Sequence, residues 1–136
     1  MKISVNVTAY NHTENGIGSY EVKLADSSSV EVGFLAPGNG GGGQTCCLSI
    51  PDVWQPGMKV SIVMNGVKAG KDIREEKIVS VPKYSPDDVG MLVVHFLHNG
   101  SYKVFVTKYL LGHRKYPLSG KEAELRPGVP LKIIWE

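Results

Sequence analysis

Residues Lys2–Tyr10 alternate without a break, with Ile3, Val5 and Val7 on one side and Ser4, Asn6 and Thr8 on the other. Successive side chains of an extended chain point to opposite faces, so a period of two marks a strand with one face buried. Strand character returns in Tyr20–Leu24 and Val30–Leu35, which are separated by the polar Ala25–Ser29. It returns again in Thr45–Ile50, where Pro51 ends the pairing because it lacks an amide donor. Met58–Met64 puts Met58, Val60, Ile62 and Met64 on one face. Turn signals punctuate these runs: Asn11–Gly16, Pro56-Gly57, Asn65-Gly66 as a hairpin, and Ser85–Asp88.

Beyond Asn65-Gly66, Asp72–Lys77 reads as a short helical turn and Glu76–Val81 as a strand. Met91–Leu97 is apolar on both faces apart from His95, the mark of a strand inside a packed sheet. His98-Asn99-Gly100 turns it into Tyr102–Tyr109, and Leu131–Trp135 supplies a last strand. Eight or nine short strands, with at most one short helix, predict an all-β fold: a single-domain antiparallel β-sandwich over residues 1–136. Trp54 is expected as an anchor in the core or at its rim.

A chain of 136 residues buries roughly two-thirds of its unfolded surface and needs no metal to fold. The net charge is +2, split unevenly: residues 1–66 hold three Lys/Arg against five Asp/Glu, and residues 67–136 twelve against eight. That imbalance suits steering toward an acidic partner; nucleic acid would require a dense basic face. No apolar run approaches the eighteen or so residues of a membrane span, and MKISVNVTAY lacks the apolar region of a signal peptide.

The stretch Pro37–Gly57 is the least ordinary part of the chain. Four consecutive glycines, Gly40, Gly41, Gly42 and Gly43, flanked by Asn39 and Gln44, form a loop that lets another backbone or a ligand come close. Gly38, Gly40 and Gly43 satisfy G-x-G-x-x-G, but a β-prone Thr45-Cys46-Cys47-Leu48 follows in place of the helix that dinucleotide binding needs. The Lys and Ser/Thr of a phosphate-binding loop are missing as well. Cys46 and Cys47 are the only cysteines. As neighbours on a strand they either point to opposite faces, one buried and one outward, or close on each other in a vicinal disulfide. Two structural thiols and a labile redox pair are both open readings.

Reaction centres are hard to find. The motifs G-x-S-x-G and H-E-x-x-H are missing. His95 and His98, three apart at a strand end, fall on opposite faces, make a poor metal pair and read as core-edge or surface histidines. Asp87-Asp88 reads as a solvated turn. Asn6-Val7-Thr8, Asn11-His12-Thr13 and Asn99-Gly100-Ser101 fit the glycosylation triplet, a pattern short enough to recur by chance. With no metal, cofactor or catalytic residue indicated, the default is a binding module whose loops carry the contacts. The candidate loops are Asn39–Gln44 and the basic, aromatic His113-Arg114-Lys115-Tyr116.

The order of motifs resembles a known family. Tyr10-Asn11-His12-Thr13, the glycine run into Cys46-Cys47, and Ile50-Pro51-x-x-Trp54-x-Pro56-Gly57 are followed by Val81-Pro82-Lys83-Tyr84, Leu92–Leu97, Gly112-His113 and Tyr116-Pro117. This is similar to an uncharacterised bacterial lipoprotein family, domain of unknown function 3304, over about nine-tenths of the chain. Members are often encoded beside type VI secretion genes and phospholipase effectors. The resemblance implies a non-catalytic immunity protein that binds a cognate secreted lipase or phospholipase as a monomer in a heterodimeric complex and occludes its active site. It also implies a periplasmic protein, lipid-anchored through a leader this chain lacks; without one, the cytoplasm is the alternative. An oxidising periplasm favours joining Cys46 to Cys47. The family supplies no binding residues to carry over. The alternatives in other classes are a cysteine-dependent redox or thiol protein and an envelope-associated accessory protein.

Overall fold

A computed structural model describes residues 2–24, 29–38, 40, 45–109 and 111–125. Eight strands are formed by these residues: β1 Lys2–Asn11, β2 Ile17–Lys23, β3 Ser29–Val32, β4 Thr45–Pro51, β5 Lys59–Lys68, β6 Lys71–Ser80, β7 Met91–Phe96 and β8 Tyr102–Thr107. The strand expected at Leu131–Trp135 lies outside the described residues. Two four-stranded sheets, in the orders β4-β1-β7-β8 and β3-β2-β5-β6, pack face to face as an all-β sandwich.

The alternation read from the sequence sets the core. Val5, Val7 and Ala9 of β1, Val60, Ile62 and Met64 of β5, and Leu92, Val94 and Phe96 of β7 meet between the sheets. Each fully buried aliphatic of this kind contributes about 1.5–3 kcal/mol. Trp54 packs at the rim and donates its indole N–H to the Val81 carbonyl at 2.8 Å. Gln55–Met58 closes as a turn, with the Met58 amide donating to the Gln55 carbonyl and Gly57 at φ 82°.

The first sheet is mixed, in contrast to the antiparallel sandwich expected: β1 runs parallel to β7, pairing Asn6 with Met91 through Asn11 with Phe96. Strand direction leaves no trace in a period-two pattern. What the sequence does show is β7 buried on both faces, the usual state of a strand with a parallel neighbour. Its outer face is covered by the segment after β8, where Leu111, Tyr116, Leu118 and Ala123 pack on Tyr10, Met91, Val93, Leu97 and Phe105. This covering strap is a third layer, and it includes a 3-10 turn, Gly120–Ala123. A second 3-10 turn, Pro86–Asp88, is capped by Ser85, whose Oγ accepts from the Asp87 amide at 3.3 Å.

The hairpin expected at Asn65-Gly66 is displaced, and no helical turn forms at 72–77. Both segments are strand, and the chain reverses at Ala69-Gly70, with φ of 53° and 77°. Inward alternation continues through residue 66, so β5 gains by running on. Gly66 is there for close approach: a Cβ would sit 2.9 Å from the Gly16 carbonyl oxygen and 3.0 Å from the Met64 sulfur. Replacing Ala69 with Gly should stabilise the fold by about 0.5–1 kcal/mol by relieving its left-handed backbone. Gly66→Ala should cost about 1–3 kcal/mol; urea unfolding midpoints of the two variants, displaced in opposite directions, check both.

Candidate functional site

Because β1 and β7 run in parallel, their ends arrive together. Tyr10 and His95 are register partners, and the His12 amide donates to the Phe96 carbonyl at 2.8 Å. Tyr10 and His95 both face the strap, and their rings stack with centroids 5.2 Å apart and planes 9° from parallel. Phe105 meets His95 edge-on from β8 at 5.7 Å.

Within this apolar packing lies a chain of three polar side chains. His12 Nδ1 is 2.9 Å from the Glu124 carbonyl oxygen, His12 Nε2 is 2.8 Å from His95 Nδ1, and His95 Nε2 is 2.7 Å from the Tyr116 hydroxyl. His12 and His95 are 1% and 0% exposed. A carbonyl can only accept, so His12 carries its proton on Nδ1 and offers the Nε2 lone pair. His95 must then donate from Nδ1 and accept at Nε2, and Tyr116 donates its hydroxyl. One backbone carbonyl therefore sets every proton in the chain. His98 Nε2, at 3.1 Å, donates to the same carbonyl from the exposed side.

Burial disfavours charge here. Desolvation holds the His12 imidazolium below its ordinary pKa, with neighbouring His98 adding to the drop, and the Glu124 carbonyl and Glu122 opposing it. Desolvation pushes His95 down to about 3, reinforced by His12 and Lys103. Burial raises the Tyr10 and Tyr116 hydroxyls, so both stay protonated.

The residues singled out from the sequence divide unevenly. Tyr116, expected as an exposed contact, is buried and closes the histidine chain, because its ring fills the outer face of β7 beside Phe105. Arg114 and Lys115 are exposed, and His113 is half-buried and stacks on Tyr109 at 4.7 Å. The Lys108 and Lys115 ammonium groups sit 5.6 and 5.9 Å from the Tyr109 ring centre, making a basic, aromatic patch.

Of the glycine loop, Asn39, Gly41, Gly42, Gly43 and Gln44 lie outside the described residues. Gly40 bridges to Tyr10, where a Cβ would come within 2.5 Å of the Tyr10 Cα. Its place in the chain therefore reflects close backbone approach. Cys46 and Cys47 are both exposed on edge strand β4, with their sulfurs paired to each other. Opposite faces were one expectation; between Val5↔Leu48 and Val7↔Thr45 the two cysteines instead oppose the single Asn6, a bulge that interrupts alternation.

His95 is central in the packing, not at its edge or on the surface as read from the sequence; His98 is exposed. His12 went unnoticed as part of a turn. That turn exists: Asn11 Oδ1 accepts from the Thr13 amide at 3.0 Å and from its hydroxyl at 2.6 Å. With Asn11 0% exposed, its glycosylation triplet is closed to modification in the folded chain. Among the described residues no group of three His, Cys, Asp or Glu is placed to hold a metal ion. No helix among them is long and apolar enough to cross a membrane.

A family model, protein of unknown function (DUF3304), matches residues 10–104, from the stacked Tyr10 through β7 and into β8. The chain belongs to the DUF3304 family. Most of the hydrogen-bonded chain, His12 and His95, lies within the matched DUF3304 region, and the strap that completes it follows. No curated protein and no solved structure matches the chain.

The depressed histidines make stability depend on pH with a definite sign. The unfolded chain takes up protons near pH 6.5 and the folded one resists, so their contribution is complete above that pH and is lost as pH falls toward the folded values. Unfolding free energy should fall by up to about 1.4 kcal/mol per pH unit per histidine below pH 6; urea titrations at stepped pH measure the slope. Tyr116→Phe, which leaves His95 Nε2 buried without a donor, should cost about 1–3 kcal/mol at neutral pH.

Proposed function

We propose that this DUF3304 domain is a non-catalytic immunity protein: it binds a cognate secreted lipase or phospholipase effector and covers the effector's active site. The observation that carries this reading is the saturation of the buried histidines. Each ring nitrogen of His12 and His95 is committed to a partner. Neither has a free lone pair to take a proton from a substrate, and the Tyr116 hydroxyl bonded to His95 is itself buried. A general base has to reach the proton it removes.

What the domain does offer is surface. The strap carries Arg114 and Lys115, exposed beside Tyr109, Lys108 and His113, on a rigid support of buried Leu111, Tyr116 and Leu118. Arginine with an aromatic neighbour is the composition of interface anchors, and the positive second half of the chain would steer such a face toward an acidic rim. The class of effector comes from the family resemblance. In that setting the protein acts in the periplasm as a lipid-anchored monomer, one to one with its effector. The exposed Cys46–Cys47 pair supports a thiol-dependent role as the second reading.

Mixing the protein with the lipase encoded beside it should give a stoichiometric complex on size exclusion and suppress hydrolysis of a phospholipid substrate. Arg114→Glu with Lys115→Glu should weaken that complex by about tenfold or more while leaving the unfolding midpoint in place. An unaltered lipase rate at saturating protein would falsify the inhibitor role. Loss of an activity in Cys47→Ser, with stability retained, would move the assignment to the thiol reading.

A further inference from the structure

Cys46 and Cys47 are both exposed, and their sulfurs are paired to each other. Structural cysteines are among the residues most often buried, so exposure of both is out of keeping with a packing role. A disulfide holds a fold together by closing a loop of the unfolded chain, and the gain grows with the length of that loop. This one joins neighbours, at a sequence separation of 1, and encloses no other residue. It staples nothing.

Its place in the sheet sets it apart from the core as well. β4 is an edge strand, and among the described strands β1 is its neighbour in the sheet. Lys2↔Pro51 through Val5↔Leu48 pair in regular register, and Leu48 and Ile50, both 0% exposed, carry the strand's share of the core. The cysteines lie beyond these pairs, in the bulge opposite Asn6, and neither belongs to the core cluster. Opening the S–S bond therefore leaves the regular pairs and the core in place. An incoming thiolate has access, and exposed disulfides are the labile ones.

We infer that Cys46–Cys47 is a reversible redox site, opened by a dithiol reductant and closed again by the corresponding disulfide, while the fold stays intact. A thiolate of the reductant attacks one sulfur, the S–S bond breaks, and its electron pair leaves on the other cysteine. The reductant's second thiolate then attacks its own sulfur in the mixed disulfide and releases the first cysteine. Two electrons and the two thiol protons of the reductant end on Cys46 and Cys47, and the reductant closes its own disulfide. A monothiol stalls at the mixed disulfide: the freed neighbour, one residue away, attacks back at an effective concentration on the order of millimolar or more and expels it. The inference goes beyond the immunity reading and does not depend on it. β4 and β8 are opposite edges of one sheet, and Arg114 and Lys115 lie in the strap after β8, so either reading can fail without the other.

The test uses the intact, oxidised domain and counts thiols by alkylation and intact mass. Dihydrolipoamide should open the pair in native buffer, giving two alkylated cysteines per chain at a rate that urea below the unfolding transition leaves unchanged. Glutathione at equal thiol concentration should be about tenfold or more slower. The urea midpoint should be the same for the oxidised and the reduced protein, and lipoamide should re-form the disulfide within one chain. Thioredoxin, a protein with a C-x-x-C dithiol, is the second reductant: whichever of the two acts faster at equal concentration upholds the site and assigns its source as a protein or a small dithiol. Cysteines that react only once the chain unfolds, a midpoint that falls on reduction, or two thiols that persist in lipoamide would overturn the inference. Glutathione as effective as dihydrolipoamide would overturn the dithiol assignment.

Discussion

The structure depends on a single backbone carbonyl. Glu124 accepts from His12 inside the fold and from His98 outside it, and through His12 it orders His95 and Tyr116. Three buried polar side chains would each cost several kcal/mol unpaired, and linked in one direction they cost little. The strap contributes both ends of the chain, Glu124 and Tyr116, and the sheet contributes the middle. It is therefore a joint: the outer face of β7 stays covered only while the strap supplies its carbonyl and its hydroxyl. Among the described residues no buried side-chain nitrogen or oxygen lacks a partner.

Parallel pairing of β1 with β7 makes this joint geometrically feasible. Tyr10, His12 and His95 come to one end of one sheet face because the two strands start and finish together. The same ends, turned outward, line a cleft at one end of the sandwich, with Phe96 and His98 of the β7 end beside His12. The loop that carries Arg114 and Lys115 is held by Tyr116 from below.

Much of the sandwich was legible in the sequence, because burial on one face writes a period of two: Ile3 to Val7, Val60 to Met64 and the two-sided Met91–Leu97 are where alternation places them. Strand direction was not legible, since parallel and antiparallel partners impose the same alternation. The turn at Ala69-Gly70 was masked by the stronger signal at Asn65-Gly66, whose glycine serves the approach of Gly16. The histidine joint was hidden for a different reason. His12 and His95 are 83 positions apart, and His12 and Glu124 are 112 apart, so no local pattern connects them. Their one advance sign was His95 itself, a lone polar residue in an apolar strand, which a buried partner has to satisfy. Tyr116 looked like a surface ring because its neighbours in sequence are Arg114, Lys115 and Pro117, and only the tertiary packing shows which way it turns.

Nitrogen-15 chemical shifts of the imidazole rings read the direction of the buried hydrogen bonds directly. At neutral pH both His12 and His95 should appear as neutral rings protonated on Nδ1. A charged His12 or His95, or either one protonated on Nε2, would contradict the joint and with it the argument that these histidines are unavailable for catalysis.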